Sequence, residues 1–182
     1  MIKLSLVACA MLVAGCHPVP EAVAILPVKT VSQNPAAQRQ TVFPVTLRQP
    51  TPGAPFTTAD GETITLQHFS GQVVVLHLWA TWCKPCLHEM PLLDHLAAEM
   101  QSIKVVPVSV DIRHEQAVTF FQQQFFQRLD AYHDPDGQLM RDLGAHALPI
   151  SILMDRQGRI AAVLKGSVDW NSESIRTLLS GI

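Results

Sequence analysis

Positive charge is in short supply in this sequence. Thirteen Lys and Arg stand against fifteen Asp and Glu, the formal net charge is −2, and only 15% of residues are charged. The chain therefore lacks the basic footprint of a nucleic-acid binder. Cysteine is sparse too: Cys9, Cys16, Cys83 and Cys86 complete the set. Two of these fall in an N-terminal segment of export type, so the four do not make a disulfide framework. No second ligand pair at zinc spacing accompanies Cys83 and Cys86, which leaves a metal site without support. Covalent haem attachment needs a histidine directly after the second cysteine. Leu87 stands there, and His88 comes one residue late. No internal repeat is visible. What the sequence does have is length and apolar content: 182 residues, 48% of them hydrophobic, enough to bury one sizeable core.

Residues 1–15 read as a short export signal. Lys3 supplies the positive start, and the apolar run 4–13 is too short to remain as a membrane-spanning helix. The segment ends Leu12-Val13-Ala14-Gly15-Cys16, which resembles the lipobox of bacterial lipoproteins. On that reading Cys16 is acylated and becomes the new N-terminus, Cys9 leaves with the signal, and the protein sits in the bacterial cell envelope, periplasmic and lipid-anchored. An ordinary secretory signal cleaved after a small residue is the alternative. His17 rather than Asp follows the cysteine, which leaves the choice of membrane open. Eight prolines between positions 18 and 55 then punctuate a stretch with few charges and no helical period. Proline removes backbone donors and favours extended conformers, so residues 16–51 read as a tether. The part near 42–47 is open to a second role as an edge strand.

Residues 52–182 read as the folded domain. A hairpin is expected over 56–66, turning at Asp60-Gly61. Val73 to Trp79 is a near-continuous apolar run, the mark of a strand covered on both faces. A helix follows Cys83, with Leu87, Met90, Leu93, Ala97 and Met100 expected to face the core and Pro91 inside it. A second buried strand is expected over 103–110. A second helix is expected over 115–127, burying Val118, Phe121 and Phe125. A short connector or strand (130–134), a short helix (137–143) and two strands (150–155 and 160–164) come next. A last helix over 172–179 is capped by Asn171 or Ser172. His68, His95, His114 and His133 show no grouping. Strands alternating with helices, plus a terminal hairpin, point to an α/β or α+β sheet covered on both faces.

Cys83 and Cys86 fall where strand gives way to helix. Unpaired N–H groups at a helix N-terminus favour an anion, and so a thiolate at Cys83. Lys84 adds a nearby positive charge. Pro85 is tolerated early in a helix because its missing N–H has no intrahelical role there. A Cys-x-x-Cys in a βαβ setting outside the cytoplasm points to redox chemistry. Trp79-Ala80-Thr81-Trp82-Cys83-Lys84-Pro85-Cys86, then Glu89-Met90-Pro91, resembles the thioredoxin superfamily. Within it the sequence is most similar to the membrane-tethered TlpA/ResA/CcmG-type thiol-disulfide reductases. Leu148-Pro149, the turn 155–159, Gly166 and Trp170 extend the resemblance over the whole domain.

The resemblance implies a thioredoxin fold, a central four- or five-stranded mixed sheet flanked by helices, here with an N-terminal β-hairpin extension. It implies a nucleophile at Cys83, a resolving thiol at Cys86, a redox disulfide between them, and no cofactor. It implies a cis peptide at Leu148–Pro149 beside the sulfurs. Trp82, Lys84, Pro85, Leu148 and Pro149 then contact substrate. His77 departs from the pattern, standing where thioredoxins carry a buried Asp. Glu89 or His77, or both, would help deprotonate Cys86; the competing reading of His77 is a satisfied core polar residue. The implied partners are exported proteins bearing disulfides, such as apocytochromes c or a metallochaperone, and a membrane thiol donor of the DsbD/CcdA type. Two other readings stand beside this one. A peroxiredoxin-like thiol peroxidase shares the hairpin and core, but usually places Thr or Ser where Ala80 stands. A lipid-anchored module could hold a client or copper without catalysis.

Overall fold

The computed structural model describes residues 41–44, as backbone, and 48–182. The export segment 1–15, Cys16 and most of the tether 16–51 lie outside the described residues.

The sheet is built around β4 (Val73–Trp79), buried at every position. It runs parallel to β5 (Ile103–Ser109) and antiparallel to β7 (Ile150–Met154). Outside β7 lies β8 (Ile160–Lys165), and outside that β1 (Thr41–Pro44), both antiparallel to their neighbours. The expected edge strand near 42–47 thus forms at 41–44. On the other side, β6 (Tyr132–His133) runs parallel to β5. It accepts the hairpin of β2 (Phe56–Thr58) and β3 (Thr63–Ile64). The order is β1-β8-β7-β4-β5-β6-β2-β3. The eight strands exceed the four or five implied because short strands extend both edges.

Among the described residues four α-helices cover the sheet: α1 (Lys84–Glu99), α2 (His114–Gln124), α3 (Gln138–Asp142) and α4 (Glu173–Ser180). Because strand side chains alternate in direction, β4 feeds two cores. Val74, Leu76 and Leu78 join Val106, Val108, Ile150 and Ile152 on one face. Val73, Val75 and Trp79 join Met90, Leu93, Leu96 and Trp170 on the other. Burying each such aliphatic side chain contributes about 1.5–3 kcal/mol. His77 falls in the second series, between Val75 and Trp79.

The fully buried stripe of α1 is Cys86, Glu89, Met90, Leu93 and Leu96, and Leu87, Ala97 and Met100 pack partly buried against the same core, as expected. One expectation needs correcting. In α2, Ala117 is the buried residue. Phe125 takes a left-handed conformation (φ 55°), ends the helix at Gln124 and points into solvent, 79% exposed. Phe120 and Phe121 lean instead on the Trp79 ring, with centroids 5.0 and 5.9 Å away. Helical spacing, four residues on from Phe121, made Phe125 look like a core residue; the end of the helix removes it from that face.

Candidate active site

Where β4 ends, the chain makes one tight turn and starts α1. The Cys83 N–H donates to the Ala80 carbonyl at 3.0 Å, closing the turn. Cys83 is the N-cap of α1, with extended backbone (φ −86°, ψ 90°), and its carbonyl accepts the first intrahelical bond from Leu87. Pro85 occupies the first turn, where its missing N–H leaves no gap. Cys83 and Cys86 are joined as a disulfide with Cα atoms 5.3 Å apart. Cys86 is fully buried and Cys83 nearly so. Around them Trp82 and Lys84 are exposed, Trp82 by 67%, and Pro85 is half-buried. Both cysteines are thus buried in the core cluster, with exposed Trp82 and Lys84 beside them.

Glu89 follows Cys86 by three residues on the same buried stripe. Its carboxylate accepts hydrogen bonds from the Trp170 indole N–H at 2.8 Å and the Val168 N–H at 3.2 Å. Burial lifts its pKa from the usual carboxylate range to about 7, and the donors at Trp170, Val168 and Ser167 resist that rise. His77 is fully buried beside it. Its Nδ1 lies 2.9 Å from the Ser151 hydroxyl, across the β4–β7 register, and 4.0 Å from Glu89 Oε2. Burial depresses the imidazole pKa to about 3, so His77 is neutral across the physiological range and makes no ion pair with Glu89. Of the two groups, Glu89 is the one that titrates near neutral pH.

The Leu148–Pro149 bond is cis. Pro149 is buried, and its carbonyl accepts from the Gly166 N–H at 3.0 Å, tying the loop to the end of β8. Leu148 packs against the same cluster that contains Cys83 and Cys86. The chain therefore brings together Cys83, Cys86, Glu89 and His77, with Leu148 against them. Cys16 lies outside the described residues.

Three participants carried no assigned role at the level of sequence. Trp170 holds Glu89 from 81 positions away. Ser151 meets His77 from 74 away. Asp111 grips Thr81, in the turn before Cys83, from 30 away. Trp170 entered the sequence reading only as part of the family resemblance, and Asp111 left a signal of its own: an acidic residue just past the carboxyl end of a buried parallel strand, where sites in such sheets gather. Among the described residues no group of three His, Cys, Asp or Glu is placed to hold a metal ion. No described helix is long and apolar enough to cross a membrane.

A helix-flanked mixed sheet with Cys-x-x-Cys capping its first long helix and a cis-proline loop is a thioredoxin fold. Residues 47–163 match the AhpC/TSA family, and the chain belongs to that family. It is 32% identical over 111 residues to the thiol-disulfide oxidoreductase ResA of Bacillus thuringiensis, covering 60% of this chain and 64% of the relative. The chain thus spans less than two thirds of that relative's length. A solved structure named as a thiol:disulfide interchange protein DsbE, from Chlorobium tepidum, superposes with a TM-score of 0.67 at 26% identity, covering 74% of this chain and 95% of that one. An exposed lipoprotein thioredoxin, Etrx1 of Streptococcus pneumoniae, superposes with a TM-score of 0.58 at 25% identity, covering 70% of this chain and 98% of that one.

Proposed function

We propose that the protein is a thiol-disulfide oxidoreductase of the bacterial cell envelope, working as a reductant of disulfides in exported proteins. The observation that carries this reading is the Cys83–Cys86 disulfide at the N-terminus of α1, with a buried carboxyl of raised pKa on the same stripe. Reduced Cys83 attacks one sulfur of a client disulfide and releases the other client sulfur as a thiolate, giving a mixed disulfide. Cys86 loses its proton and attacks Cys83 Sγ. The second client thiolate leaves, and the Cys83–Cys86 disulfide forms. Two electrons pass to the client. Glu89, ionised above about pH 7, is the acceptor for the Cys86 proton. Neutral His77 shapes that carboxyl's surroundings rather than acting as the base. Trp82, Lys84, Pro85, Leu148 and Pro149 form the surface that meets the client. Recharging the dithiol falls to a membrane thiol donor of the DsbD/CcdA type, because the periplasm is kept oxidising.

The names of the relatives support the reaction type and an extracytoplasmic site. The apocytochrome c or metallochaperone client and the lipid anchor at Cys16 rest on the sequence reading alone. The test is reduction of insulin disulfides with dithiothreitol as electron source. The protein should accelerate it, and Cys83→Ser should abolish the acceleration. An intact rate in that variant would defeat the proposal. The hairpin β2–β3 favours a second reading, a thiol peroxidase, with Ala80 in place of the usual hydroxyl residue. Peroxide consumption by Cys86→Ser would support that reading instead.

A further inference from the structure

The turn that delivers Cys83 is held from outside by one side chain. The Thr81 N–H donates to both carboxylate oxygens of Asp111, at 3.1 and 3.0 Å. The Thr81 hydroxyl donates to Oδ1 at 2.8 Å. Asp111 is itself fixed: the Ser109 hydroxyl donates to Oδ2 at 2.6 Å, and the Asp111 N–H donates to Ser109 Oγ at 3.0 Å. Asp111 is buried, 2% exposed, and the side-chain donors that reach it are uncharged. Burying a carboxylate among neutral donors costs free energy that an apolar residue would not. The arrangement calls for a role beyond packing.

The support continues to the hairpin. The His133 Nε2–H donates to the Asp111 carbonyl at 2.8 Å. His133 lies on β6, paired in register with Thr57 of β2. Its ring meets that of His114 edge-on, with centroids 5.4 Å apart. The His114 Nε2–H in turn donates to the carbonyl of Ala59, beside the hairpin turn, at 3.0 Å. A continuous path of contacts therefore runs from the hairpin through two histidines to Asp111, Thr81 and the cysteine turn.

We propose that Asp111 is the positioning residue for the attacking sulfur, and that the N-terminal hairpin braces it. The inference rests on the reading of Cys83 as nucleophile. A thiolate at an N-cap is stabilised only while it stays over the free N–H groups of the first turn. Pro85 offers none, which leaves few donors and makes the placement of Cys83 decisive. Freeing Thr81 lets the turn 80–83 open and takes the sulfur away from those donors. The thiol then drifts back toward the acidity of an ordinary cysteine.

The experiment is iodoacetamide alkylation of the reduced full chain between pH 5 and 9, with Cys83 followed by peptide mass. In Asp111→Ala the Cys83 midpoint should rise by about one pH unit, so that alkylation at pH 6.5 slows by about tenfold. Asp111→Asn keeps an oxygen facing Thr81 and should stay within about threefold of the parent. An Asp111→Ala midpoint that is unchanged or lower overturns the proposal, a lower one because it would show the sulfur feeling only the carboxylate's charge. If Asp111→Ala fails to fold, Thr81→Val, which deletes the hydroxyl bond alone, should still slow alkylation about threefold. A parent rate there would count against the idea equally. The readout is one thiol's acidity. Failure to reduce insulin would therefore sink the proposed activity without touching this test, and an unmoved midpoint in an active protein would sink this inference alone.

Discussion

The two faces of β4 are made from the same seven residues and do opposite things. Toward one side the strand sends Val74, Leu76 and Leu78 into a cluster of aliphatic and aromatic side chains that includes Phe56, Leu66 and Leu139. Toward the other it sends Val73, Val75, His77 and Trp79 into a cluster that also takes in Cys83, Cys86 and Trp170. The first face stabilises. The second gives up some stability to hold a neutral imidazole and a carboxyl of raised pKa beside a disulfide. Burial is equally complete on both, so depth in the core does not separate structure from chemistry here. What separates them is whether the buried groups can gain or lose a proton.

That contrast can be broken most severely at Glu89. Glu89→Gln removes the proposed proton acceptor while keeping the shape, and should slow disulfide reduction by about a hundredfold at pH 8, within the range typical of a lost general base. The parent rate should climb as pH rises through about 7, where the carboxyl ionises, and the variant should lose that climb. The same shift fixes a stability trend. A carboxyl whose pKa is raised on folding favours the folded state fully below its unfolded value near 4.5. That contribution is lost as pH rises through about 7. Thermal unfolding should therefore show Glu89→Gln gaining on the parent between pH 5 and 8, by a margin on the order of 3 kcal/mol. A constant difference in melting temperature across that window would contradict the assignment.

Leu76→Ala sharpens the comparison from the other face. It should destabilise by about 2–5 kcal/mol in urea or thermal unfolding, as core truncations do. The pH dependence of Cys83 alkylation in the folded fraction should stay that of the parent. A shifted profile would mean the two faces are not separable. The smallest effect is expected at Ser151→Ala, which removes the hydroxyl that meets His77 Nδ1. A loss of about 1 kcal/mol in unfolding free energy is expected, with insulin reduction within about threefold of the parent. A much larger loss of rate would move His77 from bystander to participant.

Much of this was legible because it is local. A run of six apolar residues broken only by His77 announces a covered strand, Asp60-Gly61 announces a hairpin turn, and Cys83 followed by Pro85 announces a helix start. Glu89 was singled out by the family resemblance, and helical spacing carries it onto the same stripe as Cys86. Phe125 misled because periodicity does not say where a helix stops. The short strand β6 was ambiguous because two residues carry no period at all.

Sequence alone determined the order of elements, the place of the cysteine pair at a strand–helix junction, and the acidic residue one turn beyond it. These depend on neighbours within a few residues, where backbone preference and side-chain period act directly. Tertiary structure alone decided that His77 is neutral, that Glu89 titrates near pH 7 under the indole of Trp170, and that Asp111 holds the turn before Cys83. Each is a matter of lost water and of donors arriving from 30 to 81 positions away. Such partners become neighbours only when the sheet closes.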